Sequence, residues 1–135
     1  MKVSLALLAD YANVSQEGKL NVLGIFDSLS ATSLPTALPQ CYLVLRLVAE
    51  PEEKGTEHQV QFRLSDPDGR VLLEVVTQLL VPEGDLPGTV TTQLISGFAN
   101  LRFESYGPHE FQVLLDGAET HSLRLDVRRL PGADG

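Results

Sequence analysis

Three charged residues lie in or beside apolar runs near the start of the chain, where a buried charge is costly unless it has a partner. They are Asp10, Lys19 and Asp27. If the first two apolar segments pair as a β-hairpin, we expect their ends to bring Asp10 close to Lys19. The cluster then forms either a polar site at one end of the domain or a structural ion pair that fixes the strand register. We favour the ion pair, because structural ion pairs perturb charges without catalysing anything.

The other reactive residue types show no spacing that predicts a catalytic or metal site. The three histidines are scattered and lack zinc-binding spacing. Asp66 and Asp68 flank Pro67 and precede Gly69, a pattern that turn formation explains without calcium. Cys41, the single cysteine, is interpreted as a small hydrophobic residue at the start of a strand. With no nucleophile elbow, phosphate loop or dinucleotide fingerprint, we predict a non-enzymatic protein without metal or cofactor.

Apolar and polar residues alternate along much of the chain, as in Val60, Phe62 and Leu64. A period of two places one side of a strand on a core and the other in water, which is typical of antiparallel sheets. Hairpin signals such as Asp116-Gly117 separate these runs. The pattern predicts strands near residues 2–9, 19–29, 41–49, 57–65, 70–81, 109–116 and 120–128.

Two proline-rich stretches and one ambiguous segment lie between the predicted strands. The prolines of residues 34–39 and 82–88 cannot donate to a hydrogen-bond ladder, so we expect both stretches to be loops. The first loop is expected to carry the chain from one sheet to the other. In residues 91–101 the apolar residues recur at helical spacing, but Gly97 weakens a helix. Helix and strand therefore both stay open for this segment.

These elements predict an all-β fold, namely a two-sheet antiparallel sandwich of immunoglobulin-like or fibronectin-like kind with about seven strands. A length of 135 residues fits a single domain. We place that domain at residues 1–130 and expect residues 131–135 to form a flexible C-terminal tail.

Charge and cysteine content restrict the partners and the compartment. The formal net charge of −8 disfavours binding to nucleic acid or to an anionic membrane, since both need a basic patch. No segment approaches the roughly 20 apolar residues of a membrane helix. A single cysteine excludes an internal disulfide and favours a reducing compartment, so we expect a cytoplasmic protein.

The opening of the chain resembles that of a family of small, uncharacterised bacterial β-sandwich proteins. The resemblance rests on the segments L-A-D-Y-A at residues 8–12 and G-K-L-N-V-L-G-I-F-D at residues 18–27. It implies a β-sandwich fold, and it implies no activity because that family has none assigned.

The strongest functional signal is an excess of apolar residues in the strand predicted at residues 70–81. Both of its faces carry aliphatic side chains, although a strand of a two-sheet sandwich has a single core face. If the alternate residues of this strand on the other face fill the core, Leu72, Val76 and Leu80 face outward as an apolar stripe. A monomer rarely exposes such a stripe, so we predict a symmetric homo-oligomer, a dimer, with these residues in its interface.

The sequence therefore supports three hypotheses in order. The first is a non-enzymatic binding or assembly module that contacts a protein partner or itself. The second is a structural subunit of a particle or filament, such as a phage decoration or tail-associated protein. The third is an enzyme whose catalytic residues are dispersed along the chain.

Overall fold

A computed structural model describes residues 1–131, and in this range the chain forms nine strands and one short 3-10 turn at Pro51–Glu53. The strands are β1 (Lys2–Val14), β2 (Leu20–Phe26), β3 (Ser28–Ala31), β4 (Thr36–Ala49), β5 (Glu57–Ser65), β6 (Val71–Leu80), β7 (Val90–Phe103), β8 (Gly107–Leu115) and β9 (Ala118–Arg129). The tail predicted at residues 131–135 lies, apart from Pro131, outside the described residues.

The strands form two sheets, which confirms the predicted all-β two-sheet sandwich. One sheet has four strands in the order β2-β1-β4-β7, and the other has five in the order β3-β9-β8-β5-β6. Every pairing is antiparallel except that of β3 with β9, which is parallel. The one parallel pair within residues 1–131 arises because β3 enters the second sheet from the neighbouring sheet and not through a hairpin.

The strand count exceeds the predicted seven for two reasons. The run predicted as one strand at residues 19–29 divides at Asp27, and its second part becomes β3 in the opposite sheet. The ambiguous residues 91–101 belong to β7, which pairs with β4 along almost its full length. Pairing with the free edge of β4 outweighs the helical spacing of the apolar residues in this segment. Gly97 fits because it lies directly opposite Tyr42, whose ring a Cβ at position 97 would touch.

The two predicted loops differ in outcome. Residues 81–89 have no regular structure and carry the chain from β6 to β7, as predicted. The first loop is shorter than predicted, because β4 begins at Thr36 and includes Pro39. Pro39 has no pairing partner in the otherwise continuous β4–β7 register, as expected for a residue without an N–H group.

The core lies between the sheets and depends on one row of β4. The alternate residues Cys41, Leu43, Leu45 and Leu47 are fully buried and face aromatic residues of the other sheet such as Phe111. Burial is also the main reason why the pKa of the Cys41 thiol rises to about 11, with the negative charge of Asp10 as a second cause. A thiol that stays protonated at neutral pH is a packing residue and a poor nucleophile.

The predicted hairpin at Asp116-Gly117 joins β8 to β9, and both turn residues have positive φ angles, 50° and 85°. The Asp116 carboxylate accepts a 2.9 Å hydrogen bond from the Gln59 N–H and lies 2.6 Å from Nδ1 of His58. The His58 contact, followed by the Gln59 bond, holds the pKa of Asp116 below its usual range. The turn is thereby tied to the start of β5.

Replacing Asp116 by Asn is expected to lower the free energy of unfolding at neutral pH by less than about 1 kcal/mol, because the carboxylate is exposed and screened. Asn tolerates the same positive φ, so the change isolates the charge. Because the folded chain lowers the pKa of Asp116, this contribution is present above the unfolded pKa and is lost as the pH falls through the folded value. Urea unfolding should show the two proteins converging in acid, and a difference that persists there would contradict this account.

Candidate functional site

The predicted polar cluster of Asp10, Lys19 and Asp27 is not brought together by the fold. Asp10 lies in the middle of β1 opposite Gly24, whereas Lys19 lies in the hairpin turn, where its carbonyl accepts the Ser15 N–H. Asp27 lies between β2 and β3, at the other end of β2 from Lys19. Within residues 1–131 none of the three forms an ion pair. The expected ion pair does not form because β1 continues past Asp10 to Val14 before the chain turns.

The β1–β2 hairpin folds back over the outer face of its own sheet. Leu5 of β1 and Leu20 of β2 line the same groove, although Leu20 pairs with Val14, which lies roughly 30 Å from Leu5 along a straight strand. The bend coincides with Gly24, which has a φ of 73° and interrupts the β1–β2 register opposite Asp10. Glycine adopts this conformation at no steric cost because it has no Cβ.

The burial of two outer residues agrees with this bend. Ala9 and Val44 are fully buried, yet they alternate with the core residues Leu8 and Leu43 and so lie on the outer face of the sheet. Residues on that face can be buried only if other atoms lie above them.

The space between the hairpin and the sheet is an open groove of about 540 Å³. Its apolar lining is contributed by Leu5, Leu7, Leu20, Val22 and Ile25. Its polar lining consists of two cations, Lys19 and Arg46, together with Gln93 and the backbone of Gly18. Among residues 1–131 no carboxylate lines the groove, although the whole chain has 18 acidic residues.

The two cations of this surface, which we call the hairpin groove, have no counter-ion among the described residues. Lys19 and Arg46 form no ion pair within residues 1–131, whereas Arg63, Arg102, Arg124 and Arg128 each do. The nearby turn carries one acid, Glu17, and its hydrogen bonds to the backbone and to Ser15 lower its pKa. The groove therefore combines an apolar lining with uncompensated positive charge.

The apolar surface continues beyond the groove along the hairpin. Ile25 at the groove is 65% exposed, and next to it Leu23 of β2 is 69% exposed and Tyr11 of β1 is also exposed. The Tyr11 ring meets the edge of Tyr42 with centroids 5.4 Å apart, which fixes its position.

A second groove, of about 660 Å³, lies on the outer face of the five-stranded sheet. Its two arginines are already compensated, because Arg63 lies 3.2 Å from Glu74 and Arg124 lies 2.8 Å from Asp126. Within residues 1–131 this groove therefore has no unpaired cation, and its lining includes the carboxylates of Asp66 and Glu110, so we consider it the weaker candidate.

The predicted outward stripe of β6 has the predicted orientation. Leu72, Val76 and Leu80 are 38%, 51% and 60% exposed, while the alternate residues Leu73 and Val75 pack against the core. That the stripe forms an interface stays a prediction.

The histidines are placed apart from one another. His58 contacts Asp116, and His109 is buried with its Nδ1 3.1 Å from the Gly107 carbonyl. Nowhere in residues 1–131 do three or more His, Cys, Asp or Glu side chains gather so that they could hold a metal ion. The same residues include no helix with the length and hydropathy that crossing a membrane requires.

The hairpin groove was missed at the sequence level, although one signal pointed to it. Gly24 interrupts a strand pattern, and an isolated glycine in a strand often marks a bulge or bend. Sequence alone could not show that the bend returns the hairpin to Arg46 and Gln93, which lie in β4 and β7.

Comparison with known proteins identifies the family and not the function. Residues 4–128 match the model of DUF6941, a family of unknown function, and the chain therefore belongs to this family. None of the curated proteins matches the chain. One similar solved structure is the alkylpurine DNA glycosylase AlkC of Pseudomonas fluorescens, bound to DNA containing an abasic site analog. The likeness has 12% identity and a TM-score of 0.46, and it covers 91% of this chain and 30% of the glycosylase chain.

Replacing Gly24 by Ala should open or unfold the hairpin. A Cβ at this position would overlap the Asp10 carboxylate, and the positive φ would be strained in addition. Gly18→Ala is the matched control, since Gly18 has a similar φ of 83° but no neighbour within 4 Å of an added Cβ. We expect Gly24→Ala to lower the free energy of unfolding by at least about 1 kcal/mol more than Gly18→Ala.

Urea unfolding measures that difference, and hydrogen exchange should show lost protection in β2 for Gly24→Ala alone. Equal effects of the two substitutions would mean that the contact between Asp10 and Gly24 does not hold the bend.

Proposed function

We propose that this DUF6941 protein is a non-enzymatic binding module whose hairpin groove takes up an acidic, partly apolar segment of another protein. The observation that carries the proposal is the groove itself, where five aliphatic side chains surround two cations that have no counter-ion in residues 1–131. An aliphatic side chain of the partner would fill the groove, and a flanking carboxylate would reach Lys19 or Arg46.

The apolar surface outside the groove favours a protein segment over a small molecule. A volume of about 540 Å³ falls within the range of small-ligand sites. A small ligand in the groove would nevertheless leave Tyr11 and Leu23 in water, and exposed clusters of this kind mark contact surfaces. A chain segment can cover both regions at once.

The overall negative charge is compatible with an acidic partner because electrostatic interactions are local in salt. At physiological ionic strength the screening length is about 8 Å, so the nearest charges determine the contact. In the part of the chain that the structure describes, the lining of the groove has cations and no carboxylate. We expect the cations to select the partner and the apolar contacts to supply most of the affinity.

The proposal extends to fold type and compartment. The sheet order β9-β8-β5 and the order β1-β4-β7 support an immunoglobulin-like arrangement, in which they would be strands G, F, C and A, B, E, with β2 as an addition. We therefore assign the sandwich to the immunoglobulin-like class. We assign the protein to the cytoplasm on the basis of its single, fully buried thiol.

A displayed library of short random peptides tests the proposed function. Selection on the immobilised protein should enrich sequences that join aliphatic residues to Asp or Glu. Lys19→Glu and Arg46→Glu should each weaken a selected peptide by about tenfold or more. Arg70→Glu, which makes the same charge change in the exposed turn before β6, should leave binding unchanged.

Methyl NMR of the Leu, Ile and Val groups locates the contact, and shifts should concentrate at Leu7, Leu20, Val22 and Ile25. Selection without acidic enrichment, or binding insensitive to both groove substitutions, would overturn the proposal. Saturable binding of decanoate with the same methyl shifts, in the absence of any peptide binding, would instead make the groove a small-molecule site.

A further inference from the structure

The outer edge of β6 has a free row of backbone hydrogen-bonding groups. Among the described residues β6 pairs with β5 alone and is the last strand of the five-stranded sheet. Val81 directs both its N–H and its carbonyl toward the β5 side, to Thr56 and Gly55. Since backbone groups alternate along a regular strand and the register with β5 is unbroken from Leu73 onward, the even-numbered residues from Glu74 to Leu80 direct theirs to the free edge.

This edge is the least protected of the four sheet edges. Natural edges are commonly blunted by shortness, bends or irregular residues. β3 has four residues, β2 is bent at Gly24, and β7 is interrupted by Asn100, whose φ is 55°. β6 has ten residues and contains no proline, glycine, lysine or residue of positive φ. Its register with β5 is broken once, by a bulge at Leu72 near the start of the strand, and it is regular from Leu73 to Leu80.

The sequence of the edge is nearly symmetric about Val76. Residues 71–81 read V-L-L-E-V-V-T-Q-L-L-V. Three pairs around the centre are identical, and the other two, Glu74 with Gln78 and Val75 with Thr77, have the same shape. A strand that reads alike from both ends is complementary to itself when two copies run antiparallel.

We propose that two copies of this chain pair through their β6 edges, antiparallel and about a two-fold axis, with Val76 opposite the partner's Val76. Glu74 then faces the partner's Gln78 in the regular part of the ladder, and Leu72, at the bulge, lies beside the partner's Leu80. The ladder joins the two five-stranded sheets into one continuous sheet. The outward stripe of each copy is flanked by that of the other, so apolar side chains cover one another across the junction.

Other registers that keep the backbone hydrogen bonds between the two β6 strands give less favourable side-chain pairs. Centring the axis on Glu74 places two carboxylates opposite each other, which is destabilising. Centring it on Val75 or Thr77 places Glu74 and Gln78 opposite apolar residues of the partner strand. With Val76 at the centre, the amide of Gln78 can donate to the Glu74 carboxylate, which Arg63 and Gln61 of its own chain already contact.

This dimer goes beyond the proposed function and does not depend on it, because the hairpin groove belongs to the other sheet. Leu23→Glu with Ile25→Glu should impair the groove surface and leave the dimer intact. Leu72→Glu with Val76→Glu should give a folded monomer, because both residues are exposed in one copy. Circular dichroism establishes folding of both double variants.

Cysteine cross-linking tests the register. Residues opposite each other in a hydrogen-bonded pair have Cα atoms about 5.5 Å apart, which suits a disulfide. V76C should therefore link to itself under mild oxidation. E74C and Q78C should each fail to self-link but should link to each other when the two proteins are mixed. Cys41 does not compete because it is fully buried.

Sedimentation equilibrium of the full chain should give a closed dimer. Gln78→Glu, which places two Glu pairs face to face, should raise the dissociation constant about tenfold. Gln16→Glu, the same charge change in the hairpin turn, should not. A wild-type monomer at all concentrations, an open polymer of the kind a filament subunit forms, or self-linking of E74C would overturn the proposal.

Discussion

A strand in a two-sheet sandwich has one face toward the core, so every apolar side chain on its other face needs a second cover. This constraint shapes both surfaces of the protein that carry functional proposals. On the four-stranded sheet, the outer residues Ala9 and Val44 are buried outside the core row. The cover there includes the chain's own hairpin, which returns over the sheet. On the five-stranded sheet, Leu72, Val76 and Leu80 have no cover within the described residues.

The hairpin cover depends on backbone conformation at a single position. Gly24 has a φ of 73°, and an added Cβ would overlap the Asp10 side chain. The charge at Asp10 thus lies at the bend and makes no ion pair with Lys19. Lys19 is carried instead to the groove, where Arg46 of β4 is the second cation. The bend thus accounts for the positions of Asp10 and Lys19, two of the three charged residues that stood out in the sequence.

Sequence patterns predicted the fold class well and the groove poorly, for a physical reason. Alternation reports which face of a strand is buried, and this alone was enough to orient Leu72 and Val76 correctly. It does not report which strands meet in space. β7 became a strand because β4 offered a free edge, and β3 left the hairpin for the opposite sheet. The groove joins β1, β2, β4 and β7, so its composition depends on these long-range pairings.

The two proposed surfaces lie on different sheets, and this separation has a consequence for binding strength. If β6 pairs two copies, each dimer carries two hairpin grooves held at a fixed distance. A partner with two acidic, apolar segments would bind the second groove at a high effective concentration once the first is occupied. Avidity of this kind would allow each groove to bind weakly, as expected for a site that relies on one filled pocket and two exposed cations. The sandwich then acts as a rigid spacer that sets the distance between the two sites.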